Sequence, residues 1–91
     1  MNELAISFTQ YMRPDGRSRQ VMHLCDEETY DRASRLIDRG MSFSCEVLTT
    51  GECAFYVDKN DESVVTEICQ NGPEVMEAVK RLIFRAEERI K

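Results

Sequence analysis

The sequence predicts an α+β domain. It would have two layers, a mainly antiparallel sheet with two helices on one face, in the order β-β-α-β-β-β-α, with residues 1–91 forming a single domain. Three observations carry this. Apolar residues alternate along residues 4–12, 18–25, 43–48 and 53–58, the period-two pattern of a strand with one buried face. Residues 26–39 and 73–90 repeat their apolar positions at helical spacing. The breaks between these stretches are filled by turn chemistry: RPDGR, TTG, KNDE and NGP.

Each element has its own justification. In LAISFTQYM, Leu4, Ile6 and Phe8 share one face. The segment Pro14-Asp15-Gly16 suits a three-residue hairpin loop, with Pro fixing φ and Gly free to take the left-handed region. That loop pairs Arg13 with Arg17 and sets Phe8 opposite Met22 and Ile6 opposite Leu24. The other face of this hairpin then carries Tyr11, Arg19, Val21 and His23. Asp26 is placed as a helix N-cap, Glu27 and Glu28 complement the positive dipole end, and Gly40 stops the helix near Arg39.

A second hairpin turns at Thr49-Thr50-Gly51 and sets Val47 opposite Cys53 and Cys45 opposite Phe55. A fifth strand, ESVVTEICQ, follows, with Val64, Thr66 and Ile68 as its inward residues, although the adjacent Val65 leaves the face ambiguous. Pro73 opens a last helix whose stripe is Val75, Met76, Val79, Leu82, Ile83, Ala86 and Ile90. With both helices on one side, the opposite sheet face is expected to stand partly open, carrying Tyr11, Arg19, His23, Glu46, Leu48 and Tyr56.

Composition narrows the function classes. At 91 residues the chain supports one core and little room for a deep cleft, which favours a partner surface over a catalytic cavity. Its net charge of −5 is concentrated in residues 41–72, with one lysine against six acids, whereas residues 1–40 and 73–91 are nearly balanced. A nucleic-acid binder of the usual kind is basic overall, and this chain is not. No apolar run approaches the ~20 residues of a membrane span, and MNELAIS lacks the basic start of an export signal, so a cytoplasmic protein is expected. Cys25, Cys45, Cys53 and Cys69 include no C-x-x-C pair and are read as reduced, packed thiols.

Motifs for chemistry are sparse. His23 and Cys25 point the same way on a strand, but two ligands do not make a metal site. The single histidine has no orienting acid in register and there is no oxyanion loop or glycine-rich phosphate loop, so neither an enzyme nor a cofactor is expected. The candidate partner-binding residues are basic, acidic and aromatic. Arg13, Arg17 and Arg19 surround the first turn, where the guanidinium fork suits bidentate contacts. Arg32, Arg35 and Arg39 fall within about 60° of one another on a helical wheel. Asp58, Asp61 and Glu62 make a compact negative tip in the acidic block. Phe84 lies about 140° from Val79, off the apolar stripe and close to Arg81 and Arg85, and is read either as tucked under a loop or as an interface anchor.

The strings FTQYMRPDGR, LTTGE and NGPEV, the last before an amphipathic helix, resemble small phage, prophage and mobile-element proteins of about this size. Small acidic α+β proteins of such elements include the anti-CRISPR proteins, which bind a host CRISPR effector and block its contact with target DNA. That class shares no catalytic motif, so the resemblance assigns no residue a role. It implies a non-enzymatic inhibitor that binds a host protein or protein–RNA complex, its acidic block meeting a lysine- or arginine-rich surface. Two alternatives stand beside it. One is a small nucleic-acid-binding or regulatory module using the hairpin arginines with Tyr11 and Tyr56 on the open sheet, direct nucleic-acid binding being the less favoured mode. The other is a homodimeric accessory protein that covers its open sheet face or Phe84 with a second copy.

Overall fold

The computed structural model describes residues 3–12 and 15–90. Strands β1 (Leu4–Met12) and β2 (Arg17–Cys25) form the first hairpin, and helix α1 (Glu27–Asp38) follows. Strands β3 (Ser42–Val47), β4 (Cys53–Lys59) and β5 (Glu62–Cys69) lead into helix α2 (Val75–Arg89). The order β-β-α-β-β-β-α is as the sequence predicts. The five strands make one sheet in the order β2-β1-β3-β4-β5. Three neighbouring pairs are antiparallel, while β1 and β3 are parallel because α1 carries the chain back across β1.

The first hairpin departs from its expected register. Met12, not Arg13, pairs with Arg17, so the loop holds four residues instead of three. Arg13 and Pro14 lie outside the described residues. Asp15 Oδ1 accepts the Arg17 N–H at 3.0 Å, and Gly16 sits at φ 74°, where a side chain would be strained. The extra loop residue moves β2 by one position and exchanges its faces. Phe8 now faces Val21 and Ile6 faces His23, while Met22 and Leu24 turn outward to the open side. Arg19 and His23 therefore leave the open face assigned to them and join the helix side.

The second hairpin follows its expected register, with Cys45 opposite Phe55 and Val47 opposite Cys53. In β5 the inward set is Val64, Val65, Glu67 and Cys69, whereas Thr66 and Ile68, expected inside, face outward. A register irregularity at Val57/Asp58 takes up Val64 as the extra residue and resets the alternation. Glu67 is thus a carboxylate on the helix face, and α2 answers it. Arg81 Nε donates to Oε1 at 3.1 Å, and Arg85 donates to Oε2 and to the Thr66 carbonyl.

The core lies between the sheet and the two helices. Phe8 is fully buried at its centre, with ring centroids of His23, Phe43 and Phe55 at 5.1, 5.3 and 5.5 Å. Helix α1 contributes Ala33 and Leu36, and α2 contributes Ala78, Val79, Leu82, Ile83 and Ala86. Asp26 caps α1 by accepting the Thr29 N–H at 2.8 Å, and Gly40 at φ 86° ends it.

Candidate binding face

The helices leave the opposite face of the sheet uncovered. Along it stand Ser7, Thr9 and Tyr11 of β1, Ser42, Ser44 and Glu46 of β3, and Ala54, Tyr56 and Asp58 of β4. At the β3–β4–β5 end this face dips into a concavity of about 420 Å³ lined by Tyr11, Ser42, Ser44, Glu46, Tyr56, Asp58, Asp61 and Ser63.

Register assembles it. Antiparallel pairing sets Ser44 beside Tyr56 and Ser42 beside Asp58, and the parallel pairing sets Tyr11 beside Glu46. The two-residue turn between Lys59 and Glu62 brings in Asp61. Asn60 and Asp61 take φ values of 55° and 65°, which the hairpin twist requires and short polar side chains tolerate.

The floor is ordered by hydrogen bonds to carboxylates. Ser44 donates to Asp58 Oδ2 at 2.5 Å and Ser63 donates to Oδ1 at 2.9 Å. Tyr56 donates its hydroxyl to Glu46 Oε2 at 2.6 Å. Charge-assisted bonds of this kind hold their acceptors in fixed directions. Three carboxylates and two phenols thus meet a visitor, and no lysine or arginine is among the described lining residues. Such a surface attracts guanidinium and ammonium groups and repels phosphates.

The residues singled out in the sequence are dispersed over the molecule. Asp58 and Asp61 lie in the concavity, while Glu62 is exposed beside it and does not line it. Arg17 and Arg19 fall on the helix side of the sheet. Arg17 is 3.6 Å from Asp15, and Arg19 Nε donates to Gln10 Oε1 at 2.7 Å. Arg13 is outside the described residues. Arg32 clamps α1 to α2, its Nε donating to both Glu87 oxygens at 3.1 Å, which raises the guanidinium pKa. Arg35 and Arg39 are exposed, and Arg35 with Arg89 stands in the last turn of its helix, where a cation complements the carbonyl end. Phe84 is 54% exposed on the outer side of α2 and is not tucked under a loop.

The thiols are core groups. Cys45, Cys53 and Cys69 are buried, and burial, reinforced by Cys53, pushes Cys45 up to about 11. Such thiols stay protonated near neutrality and are poor nucleophiles. Among the described residues no cluster of three or more His, Cys, Asp or Glu side chains is arranged to hold a metal ion. No helix among them is long and apolar enough to cross a membrane.

The sequence marked Asp58, Asp61, Glu46, Tyr11 and Tyr56 but missed Ser42, Ser44 and Ser63. Their signal was a polar residue at alternate strand positions, which becomes meaningful only after the cross-strand register is known. No protein-family model, curated protein or solved structure matches the chain.

Proposed function

We propose that this is a non-enzymatic binding protein that docks an arginine- or lysine-rich surface of a host assembly on its open sheet face. The observation that carries this is the concavity itself. It gathers Glu46, Asp58 and Asp61 with Tyr11 and Tyr56 on the one sheet face the helices do not cover. Hydrogen bonds from Ser44 and Ser63 to Asp58, and from Tyr56 to Glu46, hold these two carboxylates in place before any partner arrives. Surfaces that grip nucleic acid are rich in such cations, so an acidic face of this kind suits an inhibitor that occupies a phosphate-binding groove. The resemblance to mobile-element proteins supports the same reading, with a CRISPR effector as one such host complex.

The nucleic-acid module fits less well. Arg17 and Arg19 lie on the opposite side of the sheet from the open-face tyrosines, and the tyrosines are accompanied by carboxylates. Affinity capture from the native host tests the choice, using the wild type and a Tyr11→Ala/Asp61→Lys variant. The wild type is expected to retain a nucleic-acid-handling complex that the variant loses, and to bind no free oligonucleotide at physiological salt. Oligonucleotide binding with a steep salt dependence, or equal retention by the variant, would overturn the reading.

A further inference from the structure

The two edges of the sheet are treated differently. On β5, Arg85 Nη1 donates to the Thr66 carbonyl at 2.8 Å, and the strand is broken by the irregularity at Val57/Asp58. Both features hinder another strand from pairing there. On β2 the pairing with β1 runs without interruption from Cys25 to Arg17. No hydrogen bond among the described residues meets the outward backbone of this nine-residue strand. Its length is about 30 Å, long for an unguarded edge.

The register identifies which groups face outward. Leu48 N–H donates to the Glu52 carbonyl, so the even-numbered residues of β3 bond to β4 and the odd-numbered ones to β1. Thr9 and Tyr11 then bond to β3, and Phe8 and Gln10 to β2. That leaves the N–H and C=O groups of Ser18, Gln20, Met22 and Leu24 pointing away from the sheet. Leu24 and Met22, 60% and 59% exposed, are the most exposed large apolar side chains among the described residues. In the helix layer, Tyr30 and Ile37 project from the flank of α1 opposite Arg32 and therefore away from α2.

We propose that β2 pairs antiparallel with β2 of a second copy, Met22 beside Met22, about a twofold axis normal to the sheet. The charge pattern selects a second copy as the occupant. The strand starts with Arg17 and Arg19 and runs into Asp26, Glu27 and Glu28. In the Met22-centred register the basic end of each copy comes level with the acidic end of the other, as an isologous interface requires. Helices lying over the two β1 strands stand about 14 Å apart across three strand spacings. Tyr30 and Ile37 of both copies fill the difference from the ~8–10 Å of direct helix contact. The result is a continuous ten-stranded sheet, twice the five strands of one chain, with both acidic concavities on one side.

Sedimentation equilibrium over a concentration series tests this. The expected species has twice the 10.6 kDa mass of the chain. Met22→Lys sets two ammonium groups against each other at the axis and is expected to weaken self-association by about tenfold or more. Because Met22 is exposed, the far-ultraviolet spectrum should hold, as should the Tm compared at a dilution where both proteins are monomeric. Arg17→Glu and Glu27→Arg are each expected to weaken the dimer, and the double variant to restore it. A wild type that stays monomeric at several hundred micromolar overturns the proposal. So does a dimer that survives Met22→Lys unchanged, a double variant without rescue, or a monomer whose β2 edge binds only an extended peptide.

Discussion

Two partly buried titratable side chains tie single residues to measurable stability. Burial alone would raise the Glu67 carboxyl, but hydrogen bonds from Arg85 and Arg81 outweigh it and hold the group below its ordinary 4.5. Its folded pKa therefore lies below its unfolded one. The stabilisation is complete above pH 4.5 and is lost as pH falls through the folded value. Glu67→Gln is expected to cost about 1–2 kcal/mol at pH 7. In urea titrations the gap between the two proteins should close as the pH is taken toward 3. His23 behaves in the opposite chemical sense. Burial holds its imidazole below 6.5, so the unfolded chain takes up a proton first and stability falls as pH drops through that value. It is the one histidine of the chain, and burial pushes the core thiols up, away from this range. The decline in stability as the pH falls below 6.5 should therefore shrink in His23→Leu, a substitution that keeps an apolar contact beside Phe8 and Phe55.

At the scale of elements, what the sequence discloses depends on whether one face of a strand is clearly apolar. The second hairpin is legible because Phe43, Cys45 and Val47 alternate with Ser42, Ser44 and Glu46, and Gly51 sets the turn. In β2 the run Val21-Met22-His23-Leu24-Cys25 offers an apolar set on either face, so register rests on the loop alone, and one extra loop residue reverses it. In β5 the inward Glu67 contradicts the binary pattern. It makes sense only with two arginines that follow it on α2, a tertiary contact no local pattern encodes. The serines of the concavity were hidden for the same reason, being brought together across β3, β4 and β5. The α1–α2 interface makes its own prediction. Arg32 and Glu87, with side chains 32% and 25% exposed, are joined in a bidentate pair between elements far apart in sequence. A double-mutant cycle with Arg32→Ala and Glu87→Ala is expected to give a coupling of about 1 kcal/mol, above the few tenths typical of fully exposed pairs.

The whole molecule presents two outward layers of different chemistry, and this separates its possible partners. The helix layer shows Phe84 among Glu77, Lys80, Arg81 and Glu88, a mixed surface with charges of both signs. The sheet layer shows the carboxylate and tyrosine concavity. A basic ligand should distinguish them. An oligoarginine peptide is expected to bind the wild type with an affinity that falls as salt rises from about 50 to 500 mM, since screening shortens the reach of exposed charges. Tyr11→Ala/Asp61→Lys removes one stacking surface for guanidinium and reverses one charge at the rim, and should weaken binding about tenfold or more. Both side chains are exposed, so the cost to folding comes mainly from placing lysine at φ 65° and should be about 1 kcal/mol. Phe84→Asp, on the far layer, should leave the affinity unchanged. Calorimetry on the three proteins decides the matter: if net charge alone attracted the peptide, Phe84→Asp, which adds a negative charge, would tighten binding while the Asp61→Lys variant weakened it. Loss from Phe84→Asp alone would move the binding face to α2.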